Sequence, residues 1–154
     1  MAHVGDDEIT EQQLDALVDH FRTEAQREGK DFPEEGTAIF EAQRNKLLAL
    51  LVYRTELGQA AERLGIEVTD EEISRRLPPA GGEEEGASTG DTFPRDSVRA
   101  AILTEKLFAK VTSGVPGSTE AERSTRRNAR MAAFLARLQR ETKVRYEPGY
   151  APGP

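Results

Sequence analysis

The chain has 154 residues, a formal net charge of −7 and no cysteine. Without thiols it has no disulfide, no thiolate metal site and no cysteine nucleophile. Its negative charge argues against nucleic acid as a main partner, because phosphate binding needs a cationic surface.

No segment is long and apolar enough to read as a membrane span, and no signal peptide is legible. The opening MAHVGDD reads as an artificial start, compatible with a leader removed from the natural protein. Leu, Ile, Val and Phe make up about a fifth of the chain, near the lower edge for folded proteins. Ala fills many other apolar positions. This predicts one domain built of thin helical layers with an open shape.

VGDDEIT (4–10) reads as one extended residue, a tight polar turn and a helix start. Thr10 and Gln13 have capping-box spacing, in which hydroxyl and amide each satisfy a free backbone N–H. Leu14, Leu17, Val18, Phe21 and Ala25 then recur at helical spacing, and Gly29 is a natural stop. After a loop around Pro33, the longest helix is predicted from about Thr37 to Leu64, closed by Gly65. Leu47, Leu48, Leu50, Leu51, Val52, Tyr53 and Leu57 cover more than one of its faces, so it should pack on both sides. A second capping box, Thr69 with Glu72, opens a short helix to about Leu77. PPAGGEEEGASTGDTF (78–93) has no periodicity and reads as a flexible loop with a solvated tip at Glu83–Glu85.

Pro94 suits the first turn of a helix that ends at Gly114, with Val98, Ile102, Leu103, Leu107, Phe108 and Val111 as its apolar stripe. TSGVPGSTEAE (112–122) is a junction, and Thr119 with Glu122 predicts a third capping box. The helix it opens, to about Thr142, is polar at first and gains a stripe only at Met131, Phe134, Leu135 and Leu138. Such a helix docks by one end and projects from the other. Residues 120–146 carry eight Lys and Arg against three acids, a surplus of +5 that leaves the rest at −12. The plain reading is a basic helix docking on an acidic body, with phosphate or lipid binding as the sharper alternative. KVRY (143–146) alternates like a strand, and 147–154 is a flexible Pro-Gly tail. An isolated strand leaves backbone groups unpaired, so KVRY is expected to pair with Val4 and bring the termini together. The fold class is all-α with this minimal two-stranded pairing.

VGDDEIT resembles the V-N-G-x-x-I-T opening of the SurA/PrsA family of secreted parvulin-type foldases. LLALLVYRTELGQAAERLGIEVTDEEISRRL (47–77) is similar to the family's apolar helix followed by A-x-x-x-G-I-x-V-(S/T)-x-x-E-(I/V). The pattern falls here on Ala61, Gly65, Ile66, Val68, Thr69, Glu72 and Ile73. LTEKLFAKVTSGV (103–115) and FLARLQRETKVRY (134–146) resemble the next helix and the closing helix and strand. Asp6 departs from a common turn Gly, and the 78–93 loop is shorter and acidic. The resemblance implies a helical chaperone fold like the SurA N-terminal or trigger-factor C-terminal domain. Its single domain would span 4–146, in halves 4–113 and 118–146 around the usual parvulin insertion point. There TSGVPGSTEAE runs straight to the closing helix, so the prolyl isomerase domain is absent.

The resemblance implies ATP-independent holding of unfolded or partly folded polypeptides outside the cytoplasm, in the periplasm, the cell envelope or secreted. No enzyme activity is expected. His3 and His20 both precede the insertion point, and no Gly-rich phosphate loop, HExxH or GxSxG is present. Asp6, Asp7 and Glu83–Glu85 lie in polar turns with nothing apolar to shift their ionisation. Accordingly no catalytic residue, cofactor or metal site is expected. Candidate client contacts are Met131 and Phe134, where the projecting helix meets the body. The alternative is a dedicated interaction module, or a structural homodimer formed by exchange of the terminal helix.

Overall fold

The computed structural model describes residues 1–77 and 93–151, with Phe93 given by its backbone alone. The loop reading over 78–93 therefore lies, apart from Phe93, outside the described residues. Among them the chain forms β1 (Ala2–Val4), β2 (Asp7–Ile9), α1 (Glu11–Arg27), α2 (Ala38–Arg63), α3 (Asp70–Arg76), α4 (Phe93–Val111), α5 (Glu120–Glu141) and β3 (Val144–Tyr146). The fold is mostly helical with a small antiparallel sheet.

The helices start where side chains satisfy their first free N–H groups. At α1, Thr10 Oγ1 accepts from Gln13 N–H at 3.3 Å, and Gln13 Oε1 accepts from Thr10 N–H at 2.9 Å. The same reciprocal box, Thr69 with Glu72, opens α3. The third box is only half formed. Thr119 Oγ1 accepts from Glu122 N–H at 3.2 Å, but the Glu122 carboxylate takes the N–H of Ser118 at 3.0 Å.

α2 organises the interior. Its Leu47, Leu48 and Val52 join a cluster with Ala2, Val4 and Ile9 of the sheet and Leu14, Leu17 and Val18 of α1. Further along, Leu57, Ala60 and Ala61 join Leu107 of α4 and Met131 and Leu138 of α5. The excess of leucine in α2 is thus explained by packing on both sides, as its sequence predicts. Burying each such side chain is worth roughly 1.5–3 kcal/mol, so α2 carries a large share of the driving force.

The termini do meet: β1 pairs antiparallel with β3, with Val4 opposite Val144. The sheet nevertheless has three strands, in the order β2-β1-β3, not two. β1 also pairs with β2, Val4 opposite Asp7, across a two-residue loop. Gly5 takes φ +61° as the first residue of that loop, the position where a type II′ turn needs glycine. Gln59 of α2 fastens the hairpin, its Nε2 donating to Val4 O and Asp7 Oδ2, both at 2.7 Å.

α5 is buried only through Met131 and Leu138, and its N-terminal half is solvated. Its docking is apolar, not ionic. Among the described residues, its ion pairs run within the helix itself, as Arg123–Glu120, Arg127–Glu120 and Arg137–Glu141. The segment expected to be a flexible tail lies along α2 as far as residue 151, where Tyr150 packs against the first cluster.

Candidate functional site

α2, α4 and the connector 66–68 together line one open space. A groove of about 570 Å³ results, within the range of roughly 300–1,000 Å³ typical of ligand pockets. Its apolar lining comes from Leu51, Gly58 and Ala61 of α2, Ile66 and Val68 of the connector, and Leu103 of α4. Arg54, Glu62, Glu67, Asp96 and Arg99 supply charge of both signs around it. Gly58 keeps it open: a methyl group on its Cα would meet no other part of the chain within 4 Å. Glycine costs a mid-helix position about 1 kcal/mol relative to alanine, and here the missing side chain leaves room.

The connector is held by a chain of specific contacts. Gly65, at φ +64°, reverses the chain after α2. Gly65 N–H donates to Glu62 O at 3.0 Å and Ile66 N–H to Ala61 O at 2.9 Å, the paired bonds of a Schellman motif. Lys106 of α4 then donates from Nζ to Glu67 O at 2.6 Å and to Glu72 Oε2 at 2.7 Å. The Lys106 ammonium first, and the Thr69 N–H second, hold the Glu72 carboxyl below the usual glutamate range. Arg76 grips the Glu105 carboxylate with both terminal nitrogens, at 2.7 and 2.5 Å, and holds that carboxyl down likewise. These bonds fix α3 and the connector against α4, so one wall of the groove is set by polar contacts.

On the opposite wall Arg54 is half-buried and donates from Nη2 to Ser97 Oγ at 3.2 Å. Burial lowers its pKa, while the Asp96 charge works the other way. Met131 is 8% exposed and sits in the cluster with Leu57, Ala61 and Leu107, and Phe134 packs beside it. Neither lines the groove, but Ala61 and Leu103 belong to both, so the cluster backs the groove wall. His3 is exposed on β1, and His20 stands edge-on to Phe21 with ring centroids 5.7 Å apart. Among the described residues no group of three His, Asp or Glu side chains is placed to hold a metal ion. No helix among them is long and apolar enough to cross a membrane.

The groove was not foreseen from sequence, because its walls are some forty residues apart in the chain. The available signal was Gly58, a lone glycine inside an otherwise strong helical pattern.

The profile of the SurA-like N-terminal domain family matches residues 1–79, from β1 through α3. The chain belongs to this family. A relative outside the profile itself is Chaperone SurA of Pseudoalteromonas translucida (strain TAC 125), 24% identical over 111 residues. That match covers 65% of this chain and 25% of the relative, so the chain corresponds to about a quarter of that protein. No solved structure matches the chain significantly. The family match contains all of α2 and the connector, and therefore the groove residues from Leu51 to Val68.

Proposed function

We propose that this chain is an ATP-independent holdase-type chaperone that binds unfolded or partly folded polypeptides and has no prolyl isomerase activity. The observation that carries the reading is the groove: apolar in its lining, charged at its margins, about 570 Å³ in volume and built on the segment that defines the family. Exposed apolar surface bordered by polar groups is the mark of a protein-binding site. Side chains exposed by an unfolded client gain from entering it, while the charges of both signs stay hydrated. A client leaves by mass action once folding hides those side chains, since binding favours only the unfolded form. The net charge of −7 keeps loaded complexes apart.

Several parts of the reading rest on the family resemblance: a location outside the cytoplasm, one domain over 4–146, and residues 112–122 standing where a parvulin domain is inserted. Met131 and Phe134 enter the proposal as the layer behind the groove. The test is suppression of aggregation of two unrelated denatured proteins, without ATP, at near-stoichiometric amounts. Suppression of both is expected; a folded sample that suppresses neither would falsify the general chaperone reading. In the same preparation, proline-limited refolding of a client should proceed at its uncatalysed rate. Acceleration would instead reveal an isomerase site.

A further inference from the structure

The C-terminal segment is bound in the manner of a ligand. Glu147–Tyr150 forms a turn closed by Tyr150 N–H to Glu147 O at 3.1 Å, with Gly149 at φ +88°. Pro148 and Gly149 are the residues a type II turn prefers at its two central positions. The turn delivers Tyr150 to the first core cluster, with the Arg44 guanidinium 4.6 Å from its ring centroid. Arg44 Nη2 donates to Gly149 O at 3.3 Å, and Asn45 Nδ2 donates to Ala151 O at 3.2 Å. One side chain thus reads the ring and the backbone before it, and the next reads the backbone after it.

The segment leaves two polar groups of the crevice without partners. Arg44 Nε and Asn45 Oδ1 are both buried and have no hydrogen-bond partner. Buried polar atoms are normally satisfied, so these two show that the segment covers the crevice without meeting all of its hydrogen-bonding groups. They are complementary, one donor and one acceptor, as a peptide's carbonyl and N–H require. Tyr150 is only half-buried, and Pro148, Gly149 and Ala151 are exposed. Few contacts therefore offset the ordering of these residues.

We propose that Arg44, Asn45 and the adjoining face of the first cluster form a second peptide-binding site. It takes segments in which an aromatic residue follows a proline–glycine turn, and residues 147–151 occupy it in cis. The site lies about 10 Å along α2 from Leu51, where the groove begins, and stands or falls independently of the groove.

The probe is a fluorescently labelled peptide Glu-Pro-Gly-Tyr-Ala-Pro-Gly, titrated against the full chain and its variants by anisotropy. The wild-type chain should bind it weakly, because its own segment competes. Tyr150→Ala empties the site and should tighten binding at least tenfold. Adding Arg44→Ala or, as a smaller change that preserves the ion pair to Glu41, Asn45→Ala to that variant should reverse the gain. A peptide with Ala in place of Tyr should not bind. Equal binding by wild type and Tyr150→Ala would overturn the proposal. So would binding that survives undiminished in both double variants, or a Tyr150→Ala gain matched by the tyrosine-free peptide.

Discussion

Glu56 is the residue whose position is hardest to reconcile with stability. It lies on α2 between the two core clusters and is only 5% exposed. Burial raises its pKa above the glutamate value, and its charge in turn helps raise that of the Tyr146 hydroxyl, after burial of the ring. A raised folded-state pKa means that the protonated form fits the fold better. The stability this provides is full below the unfolded glutamate pKa and is lost as pH rises through the folded one. Glu56→Gln is therefore expected to raise the urea midpoint at pH 7 and to lose that advantage toward pH 4. An equal effect at both pH values would show that charge is not the cause. Glu72 behaves in the opposite sense. Its depressed pKa gives stability that is present above the unfolded value and disappears as pH falls through the folded one. Acid thus relieves one carboxylate and unfastens the other. Neither effect was legible in the sequence, where Glu56 is one more charge in a helix rich in them.

At the scale of elements, the helices were legible because their ends carry their own chemistry. Thr10 and Thr69 signal starts through side chain–backbone bonds three residues long, and Gly29 and Gly65 signal stops through positive φ. β2 was not legible, because Asp7-Glu8-Ile9 is too short to show alternation and two of its residues disfavour strands. It forms because β1 and Gln59 hold it in place. The third capping box is missed by one residue, since spacing alone does not decide whether the Glu122 carboxylate takes the N–H of Thr119 or that of Ser118. Thr69 is where an element end bears on the groove. Thr69→Ala should cost about 1 kcal/mol in unfolding free energy, the usual value of a lost N-cap. It should also loosen the Glu72 carboxylate that Lys106 uses to hold the connector, because the Thr69 hydroxyl, 3.4 Å from that carboxylate, is lost while the backbone N–H bond to it remains. Hydrogen exchange of residues 66–72 should then rise more than that of α1. Uniform exchange would mean that the cap does not tie the connector to α4.

At the scale of the whole molecule, two features come from long-range placement. The pairing of β1 with β3 is legible, because KVRY has no strand near it in sequence and Val4 at the other end is extended; the second partner of β1, the adjacent β2, is not. The groove could not be inferred in that way. Leu51 and Leu103 read as ordinary core positions, and only the packing of α2, α4 and the connector places them on a groove. Met131 and Phe134, chosen from sequence as client contacts, sit one layer behind it. The molecule is thus a helical body whose first and last strands pair, with a groove on one side that Gly58 helps to line.

Gly58→Leu tests that account most directly. A Cβ there meets nothing within 4 Å beyond its own helix, and leucine improves helix propensity by roughly 0.5–1 kcal/mol, so the variant is expected to be at least as stable as the wild type. Suppression of client aggregation would be measured for both proteins alongside their urea midpoints. The account predicts a variant that is fully folded and has lost most of its holding capacity. A folded Gly58→Leu that holds clients as well as the wild type would contradict it, and client binding would then have to lie elsewhere on the molecule.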